Sequence, residues 1–245
     1  MNKSNQIQIV LVEPSHSGNI GAVARAAKTM GVENLILVKP KSFPDNQATV
    51  RATSAVDVLE RAVVCDSLSE AVSNCTFVVG TSSRERGLPC PEIAPRELGK
   101  RVWQELQYGS VAIVFGRESS GLSNEEMDLC QYATTIPTNW EFGSLNLAAA
   151  VQVICYEIFI ATLDQAPARM EDEGVLASAD ELERFFEHLQ EVLCGIDFLD
   201  PKQPRLLMRR LRHLYNRARL TQVEVNILRG VLSSTEKSMM NRQSN

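Results

Sequence analysis

Six short apolar runs separated by stretches of helical periodicity constrain this chain more than anything else in its sequence. The runs are Ile7–Val12, Asn34–Val38, Val63–Cys65, Phe77–Gly80, Val111–Phe115 and Ala133–Ile136. They are nearly continuous in apolar residues rather than alternating, as strands covered on both faces must be. Interleaved with helices, they predict an α/β fold built on a mostly parallel sheet. The clearest intervening helix is Asn19–Met30, where Ile20, Val23, Ala27 and Met30 fall at helical spacing and Gly31 supplies a stop. Ser144–Leu163 is long, apolar and almost uncharged, so it is expected in the core or at a subunit interface.

A chain of 245 residues, 44% hydrophobic and 22% charged, can bury the core of one large domain, or of one medium domain with an appendage. No segment approaches the roughly 18 uninterrupted apolar residues of a membrane span, and Met1–Gln8 lacks the layout of a signal peptide. A cytoplasmic protein without a membrane partner is expected. The six cysteines lie far apart with no C-x-x-C pair, so they are expected to be reduced, mostly buried thiols, and no metal site is expected. Residues 165–174, with Pro167 and an acidic run, read as a linker. The expected division is an α/β domain over 1–164, a linker over 165–177 and a helical extension over 178–245. In that extension Ser178-x-x-Glu181 and Thr221-x-x-Glu224 are capping-box patterns, with a third helix at Pro204–Tyr215 between them.

The formal net charge of −5 conceals a strong segregation. Glu171–Asp200 holds ten acidic residues and one basic, whereas Lys202–Arg229 holds eight basic and one acidic. A basic block of that kind suits a phosphate backbone, because each neutralised phosphate releases counterions. A solvated helix face is the more ordinary account of a single charge run. Arg205, Arg209, Arg210, Arg212, Arg217 and Arg219 are the candidate RNA contacts, with Leu206, Leu207, Leu211 and Leu214 as a packing stripe. The acidic helix Asp180–Glu191 is expected to turn elsewhere or to repel the wrong approach.

Three segments at strand ends carry chemistry. After the first strand comes Gly18-x-x-Gly21-x-x-Ala24, which taken alone passes for a weak dinucleotide-binding turn. About five residues intervene before its first glycine, the central glycine is missing, and the second strand ends in Lys39-Pro40 rather than in a ribose-binding acid. Arg25 stands among alanines four residues after Gly21, as a functional cation or an ordinary surface arginine. After Val111–Phe115 comes Gly116-Arg117-Glu118-Ser-Ser-Gly121-Leu122, an Arg-Glu pair in a glycine-bounded loop at a carboxyl strand end, where open α/β sheets bind ligands. Ser123 or Asn124 caps the helix that follows. The third segment runs from Ile136-Pro137 to Gly143-Ser144-Leu145-Asn146, where Ser144 and Asn146 either cap the long helix or face a ligand.

Taken together, the three segments resemble the signature motifs of the SPOUT (SpoU-TrmD) class of RNA methyltransferases in order and spacing. The matching residues are Asn19, Gly21 and Arg25; Phe115, Gly116, Glu118, Gly121 and Leu122; and Ser144, Leu145, Asn146 and Ala148. Within the class the chain is most similar to the tRNA (cytidine/uridine-2′-O)-methyltransferases that act on position 32 of the anticodon loop. Val12–Asn19, Val79–Arg84 and Asn226–Gly230 carry that likeness.

The resemblance implies a deep trefoil knot at the C-terminal side of the first domain and a homodimer whose active sites are completed across the interface. It implies S-adenosylmethionine as methyl donor, S-adenosylhomocysteine as product and tRNA as partner. Thr81, Ser82, Ser83, Gly116, Ile136, Gly143, Ser144 and Leu145 would then hold the cofactor. Arg25 would stand at the ribose hydroxyl, Ser144 and Asn146 would orient the substrate, and Asn19 and Glu118 would shape the pocket.

Overall fold

The computed structural model describes residues 6–82, 90–139, 141, 143, 145–163, 175–200 and 206–243. It divides into two compact units, Met1–Met170 and Glu171–Asn245.

The first unit is organised by a six-stranded sheet made of β1 (Ile7–Val12), β2 (Asn34–Val38), β3 (Val63–Cys65), β4 (Cys75–Thr81), β5 (Ser110–Phe115) and β6 (Tyr132–Thr134). The strand order is β3-β2-β1-β5-β4-β6, and every pairing is parallel. Val10 pairs with Ile36 on one side and Val114 on the other, so β1 lies inside the sheet. That position explains its unbroken apolar run. Ile7, Ile9 and Leu11 share a core cluster with Ile20, Val23 and Ala27 of α1 (Ser17–Thr29) and with Val151, Ile154 and Ile158 of α7 (Leu147–Leu163). Val10 and Val12, on the opposite face, are equally buried.

Between the strands lie α2 (Asn46–Ala52), α3 (Val56–Glu60), α4 (Leu68–Val72), α5 (Pro95–Glu105) and α6 (Asn124–Asp128). Two glycines permit the close helix packing. A Cβ on Gly21 would lie 2.0 Å from the Ala48 carbonyl oxygen of α2, and one on Gly99 would lie 2.3 Å from that of Glu157 in α7. Five of the six cysteines are buried and none is bridged. Burial pushes the thiols of Cys75 and Cys155 up to about 12, so both stay protonated.

Among the boundaries that differ from the sequence expectation, two bear on the carboxyl edge of the sheet. β6 spans Tyr132–Thr134 rather than Ala133–Ile136, because its partner β4 ends at the Thr81–Thr134 pair. Ile136 therefore lies beyond the ladder. Helix α7 begins at Leu147 rather than Ser144, and the Asn146 side chain accepts from the Ala148 backbone N–H at 2.9 Å. Asn146 caps the helix, and Ser144 lies outside the described residues.

The second unit holds α8 (Ala179–Gly195), α9 (Leu207–Ala218) and α10 (Gln222–Gln243). Both expected capping boxes form, Ser178 with Glu181 and Thr221 with Glu224. The side chain of Gln222 donates to the Glu181 carboxylate at 3.0 Å, tying the first turns of α8 and α10 together. The core contains Phe185, Phe186, Leu189, Val192, Val225 and Leu232, with Tyr215 edge-on to Phe185 at 5.0 Å between ring centroids. The acidic helix does not turn away from the basic one. Glu183 of α8 takes both terminal nitrogens of Arg212 at 2.6 Å, and that guanidinium stacks 4.6 Å above the centre of Phe186.

Candidate functional site

The chain leaves β1 for β2 and β3 on one side, then returns to build β4, β5 and β6 on the other. The switch falls between β1 and β5, whose carboxyl ends lie side by side, and such a crevice is where open parallel sheets place their ligands. The loops following β1 and β5 are joined there by polar side chains. Glu118 accepts from the Ser15 hydroxyl at 2.9 Å, the Ser15 backbone N–H at 3.1 Å and the Asn19 amide at 3.1 Å. Asn19 in turn accepts from the Asn146 amide at 3.2 Å. One hydrogen-bond chain thus links the first turn of α1, the loop after β5 and the start of α7.

Partial burial pushes the Glu118 carboxyl up, yet it settles below its ordinary value because its own backbone N–H, Asn19 and Ser15 all donate to the charged form. It is a fixed anion with its lone pairs engaged.

The neighbouring residue makes a second grip. Arg117 places Nε 2.9 Å and Nη2 2.6 Å from the Glu13 carboxylate, and Nη1 3.0 Å and Nη2 2.9 Å from that of Glu126. Its Nη1 also lies 3.3 Å from the Gly121 carbonyl, and backbone bonds between Arg117 and Gly121 close the loop. Gly121 is needed there at φ +68°, and a Cβ on Gly116 would lie 2.2 Å from the Gly121 carbonyl carbon. The hydrogen bonds from Arg117, then its charge and those of Lys39 and Lys41, hold the Glu13 carboxyl below its ordinary value.

A cavity of about 320 Å³ opens at the carboxyl ends of β4, β5 and β6. Of the expected cofactor residues, Thr81, Ser82, Gly116, Ile136, Gly143 and Leu145 all line it, together with Glu118. Ser83 and Ser144 lie outside the described residues. Thr134, Leu147 and Ala150 also line the cavity and were missed, since as ordinary members of strand and helix patterns they carried no distinguishing signal; Phe115, which lines it too, belongs to the second motif but was not assigned to the cofactor. Ser15 was missed too, although it stands within the first motif.

Arg25 is exposed and does not line this cavity. It is six residues from Asn19, about 120° around the helix. It shares the side of α1 with Gly21, which abuts α2, while Asn19 reaches Glu118. In the extension, Arg210 and Arg217 are exposed, Arg209 and Arg219 half-buried, Arg212 committed to Glu183, and Arg205 outside the described residues. Among the described residues, no group of three or more His, Cys, Asp or Glu side chains is gathered that could hold a metal ion. None of the described helices is long and apolar enough to cross a membrane.

The model of the SpoU rRNA methylase family matches residues 6–156, which include every element just described for the site. The chain belongs to the SpoU methylase family. A second model, for the C-terminal domain of the tRNA methyltransferase TrmJ, matches residues 180–244. The chain is 49% identical over 243 residues to the tRNA (cytidine/uridine/adenosine-2′-O-)-methyltransferase TrmJ of Pseudomonas aeruginosa, covering 95% of each chain. It is also 49% identical to the tRNA (cytidine/uridine-2′-O-)-methyltransferase TrmJ of Pectobacterium atrosepticum, covering 96% of this chain and 98% of that one. The crystal structure of TrmJ from Z. mobilis ZM4 superposes with a TM-score of 0.82 at 34% identity, over 94% of this chain and 98% of that one.

Membership in the SpoU methylase family settles the glycine pattern of α1 against a dinucleotide turn. The physical reason is visible: Gly21 faces the backbone of α2 and has no room for a pyrophosphate.

Proposed function

We propose that this protein methylates the ribose 2′-hydroxyl of a cytidine or uridine at position 32 of the tRNA anticodon loop, using S-adenosylmethionine and releasing S-adenosylhomocysteine. The observation that carries the reading is the chain Glu118–Asn19–Asn146, which ties the three motif segments together beside a cavity at the carboxyl edge of a parallel sheet. The TrmJ relatives supply the substrate class.

The cavity suits the cofactor. Phe115, Ile136, Leu145, Leu147 and Ala150 make an apolar wall for a purine, and Thr81, Ser82, Thr138 and the Gly116–Gly121 loop offer polar groups. Bound there, S-adenosylmethionine supplies a methyl made electrophilic by its sulfonium. Ser83 and Ser144 complete the proposed site. No metal is required.

The chain's own task is to hold a poorly acidic hydroxyl in line and to stabilise the alkoxide as its proton leaves. Arg25 serves this as a cation at the hydroxyl and its adjacent phosphate, the proton passing to a phosphate oxygen or water. A guanidinium ordinarily keeps its proton. Asn19 and Glu118 hold the pocket's shape, and Ser144 and Asn146 orient the substrate.

The placement of Arg25 away from its own cavity supports a homodimer in which each arginine serves the partner's site. Tyr156 and Leu163, 46% and 66% exposed on the apolar helix α7, supply a surface for that dimer. We assign residues 1–164 to a trefoil-knotted catalytic domain, 165–177 to a linker and 178–245 to a tRNA-binding extension. In the extension Arg205, Arg209, Arg210, Arg217 and Arg219 meet phosphates, and Arg212 braces the helix that presents them. The enzyme works in the cytoplasm, where its tRNA resides.

The test is transfer of labelled methyl from S-adenosylmethionine to tRNA in EDTA, comparing ribose and 2′-deoxyribose at position 32. Label lost with the deoxy substrate supports the reading. Label retained there, or transfer that demands a divalent ion beyond what folds the tRNA, overturns it.

A further inference from the structure

Arg117 is the most heavily engaged cation among the described residues of the first unit, and nothing in the methyl-transfer scheme above uses it. Its guanidinium is shared between Glu13, directly after β1, and Glu126, in the first turn of α6. Those two carboxylates anchor different elements. Glu13 is held in the left-handed region at φ 46°, and its backbone N–H donates to the Val38 carbonyl at 2.7 Å, so it extends the sheet. Glu126 is occupied by its own helix cap, accepting from the Ser123 backbone N–H at 2.6 Å. A non-glycine residue at positive φ is strained, and it persists only where its surroundings hold it.

Between the anchors, the backbone of residues 116–121 forms one side of the cavity. Arg117 fixes this loop at three heights: against the end of β1 through Glu13, against α6 through Glu126, and across its own turn through the Gly121 carbonyl. The adjacent Glu118 makes an independent attachment to Ser15 and Asn19. Consecutive side chains of opposite charge therefore clamp one loop to the same β1–α1 connection, at residues 13 and 15 respectively.

We infer that Arg117 is a positioning residue for cofactor binding, acting by holding the Gly116–Gly121 loop in its binding geometry rather than by touching the reacting atoms. This rests on the reading of the cavity as the S-adenosylmethionine site. A planar guanidinium can serve two carboxylates with parallel hydrogen bonds, and a lysine ammonium cannot. The inference predicts a defect confined to one substrate: loss of the clamp loosens the loop, which weakens S-adenosylmethionine binding and leaves the RNA-facing groups in place.

The test uses the full-length protein, with calorimetric titration of S-adenosylmethionine and steady-state methylation of tRNA. Arg117→Met is expected to raise the cofactor Kd and KM about 10- to 100-fold, with kcat at saturating cofactor and tRNA affinity each within about threefold of wild type. Arg117→Lys is expected to recover less than half of the lost affinity on a logarithmic scale, since it restores charge without the fork. Glu13→Gln, which keeps the Glu126 half of the clamp, serves as the second variant should Arg117→Met not fold; it is expected to give a smaller shift in the same direction. Cofactor affinity unchanged in the folded variants, or kcat lowered with KM unchanged, overturns the assignment of Arg117 alone. Absence of S-adenosylmethionine binding by the wild type overturns the cavity reading, and this inference with it.

Discussion

The side-chain amide of Asn19 donates to the carboxylate of Glu118 across 3.1 Å, joining residues 99 positions apart. Asn19→Ala removes that donor and also the acceptor used by the exposed Asn146 amide, so Glu118 keeps its Ser15 contacts but loses its link to α1 and, through Asn19, to α7. The expected loss in kcat/KM for tRNA methylation is about 10- to 100-fold, corresponding to roughly 1.4–2.8 kcal/mol. Asn19→Asp, which replaces the donor with a charge facing a carboxylate, is expected to do worse. A kinetic comparison of the two variants checks both.

The depressed Glu118 carboxyl makes stability depend on acid pH with a defined sign. Its folded-state value lies below the ordinary 4.5, so its contribution is fully present above that value and is lost as pH falls through the folded one. Glu118→Gln is therefore expected to destabilise the protein at pH 7 and to narrow its gap to wild type below about pH 4.5. Denaturant midpoints of both proteins between pH 3 and pH 7 check it; parallel curves across that range contradict it.

Two glycines in helices should respond in opposite directions. Gly21→Ala drives a methyl into the Ala48 carbonyl, and it is expected to cost about 1–3 kcal/mol even after the roughly 1 kcal/mol gain in helix propensity. Gly230 in α10 has nothing within 4 Å of an added Cβ, so Gly230→Ala is expected to stabilise by about 0.5–1 kcal/mol. Thermal melts distinguish them.

The arginines of α9 should separate into bracing and binding groups. Arg212→Ala leaves Glu183 half-buried and unpaired and strips a cation from Phe186, so a stability loss of about 1–3 kcal/mol is expected. Arg210→Ala and Arg217→Ala are expected to leave the melting curve unchanged and to lower the salt slope of tRNA binding by about one unit each. An unchanged slope in both removes these residues from the RNA interface.

Shared active sites predict rescue between dead variants. Mixing Arg25→Ala with Glu118→Ala protein gives heterodimers holding one intact cavity opposite one intact arginine, so about a quarter of wild-type activity per protomer is expected after exchange. No recovery above the separate variants places Arg25 and the cavity on the same chain.

The sheet was legible because strands buried on both faces must be written as unbroken apolar runs. Ile7–Val12 and Asn34–Val38 emerge with the same bounds in the structure; Val63–Cys65 does too, but as an edge strand with Val63 and Val64 exposed, not covered on both faces as its apolar run suggested. The short helices α2 to α4 were not, since each presents only a narrow buried stripe and no long periodic pattern; α5 does carry one, in Leu98, Val102 and Leu106 behind Pro95. The motif residues could be found, but not their mutual contacts. That Asn19 bonds Glu118 while Arg25 faces another way depends on helix rotation, which the packing of Gly21 on Ala48 determines. Arg212 misled for the same reason. Charge spacing does not reveal that a neighbouring helix brings Glu183 within 2.6 Å.

The sheet order also governs how this chain must be made. β1 is an inner strand whose second partner, β5, pairs Val111 with Ile7, so its far edge waits for about a hundred residues to be added. At roughly 5–20 residues per second, that is about 5–20 s on the ribosome, and in the later part of it, once β2 and β3 have been added, a β3-β2-β1 half-sheet would present an open apolar edge at β1. The nascent chain is thus exposed to misassociation until Phe115 has emerged, and chaperone engagement should cluster on chains stalled before β5.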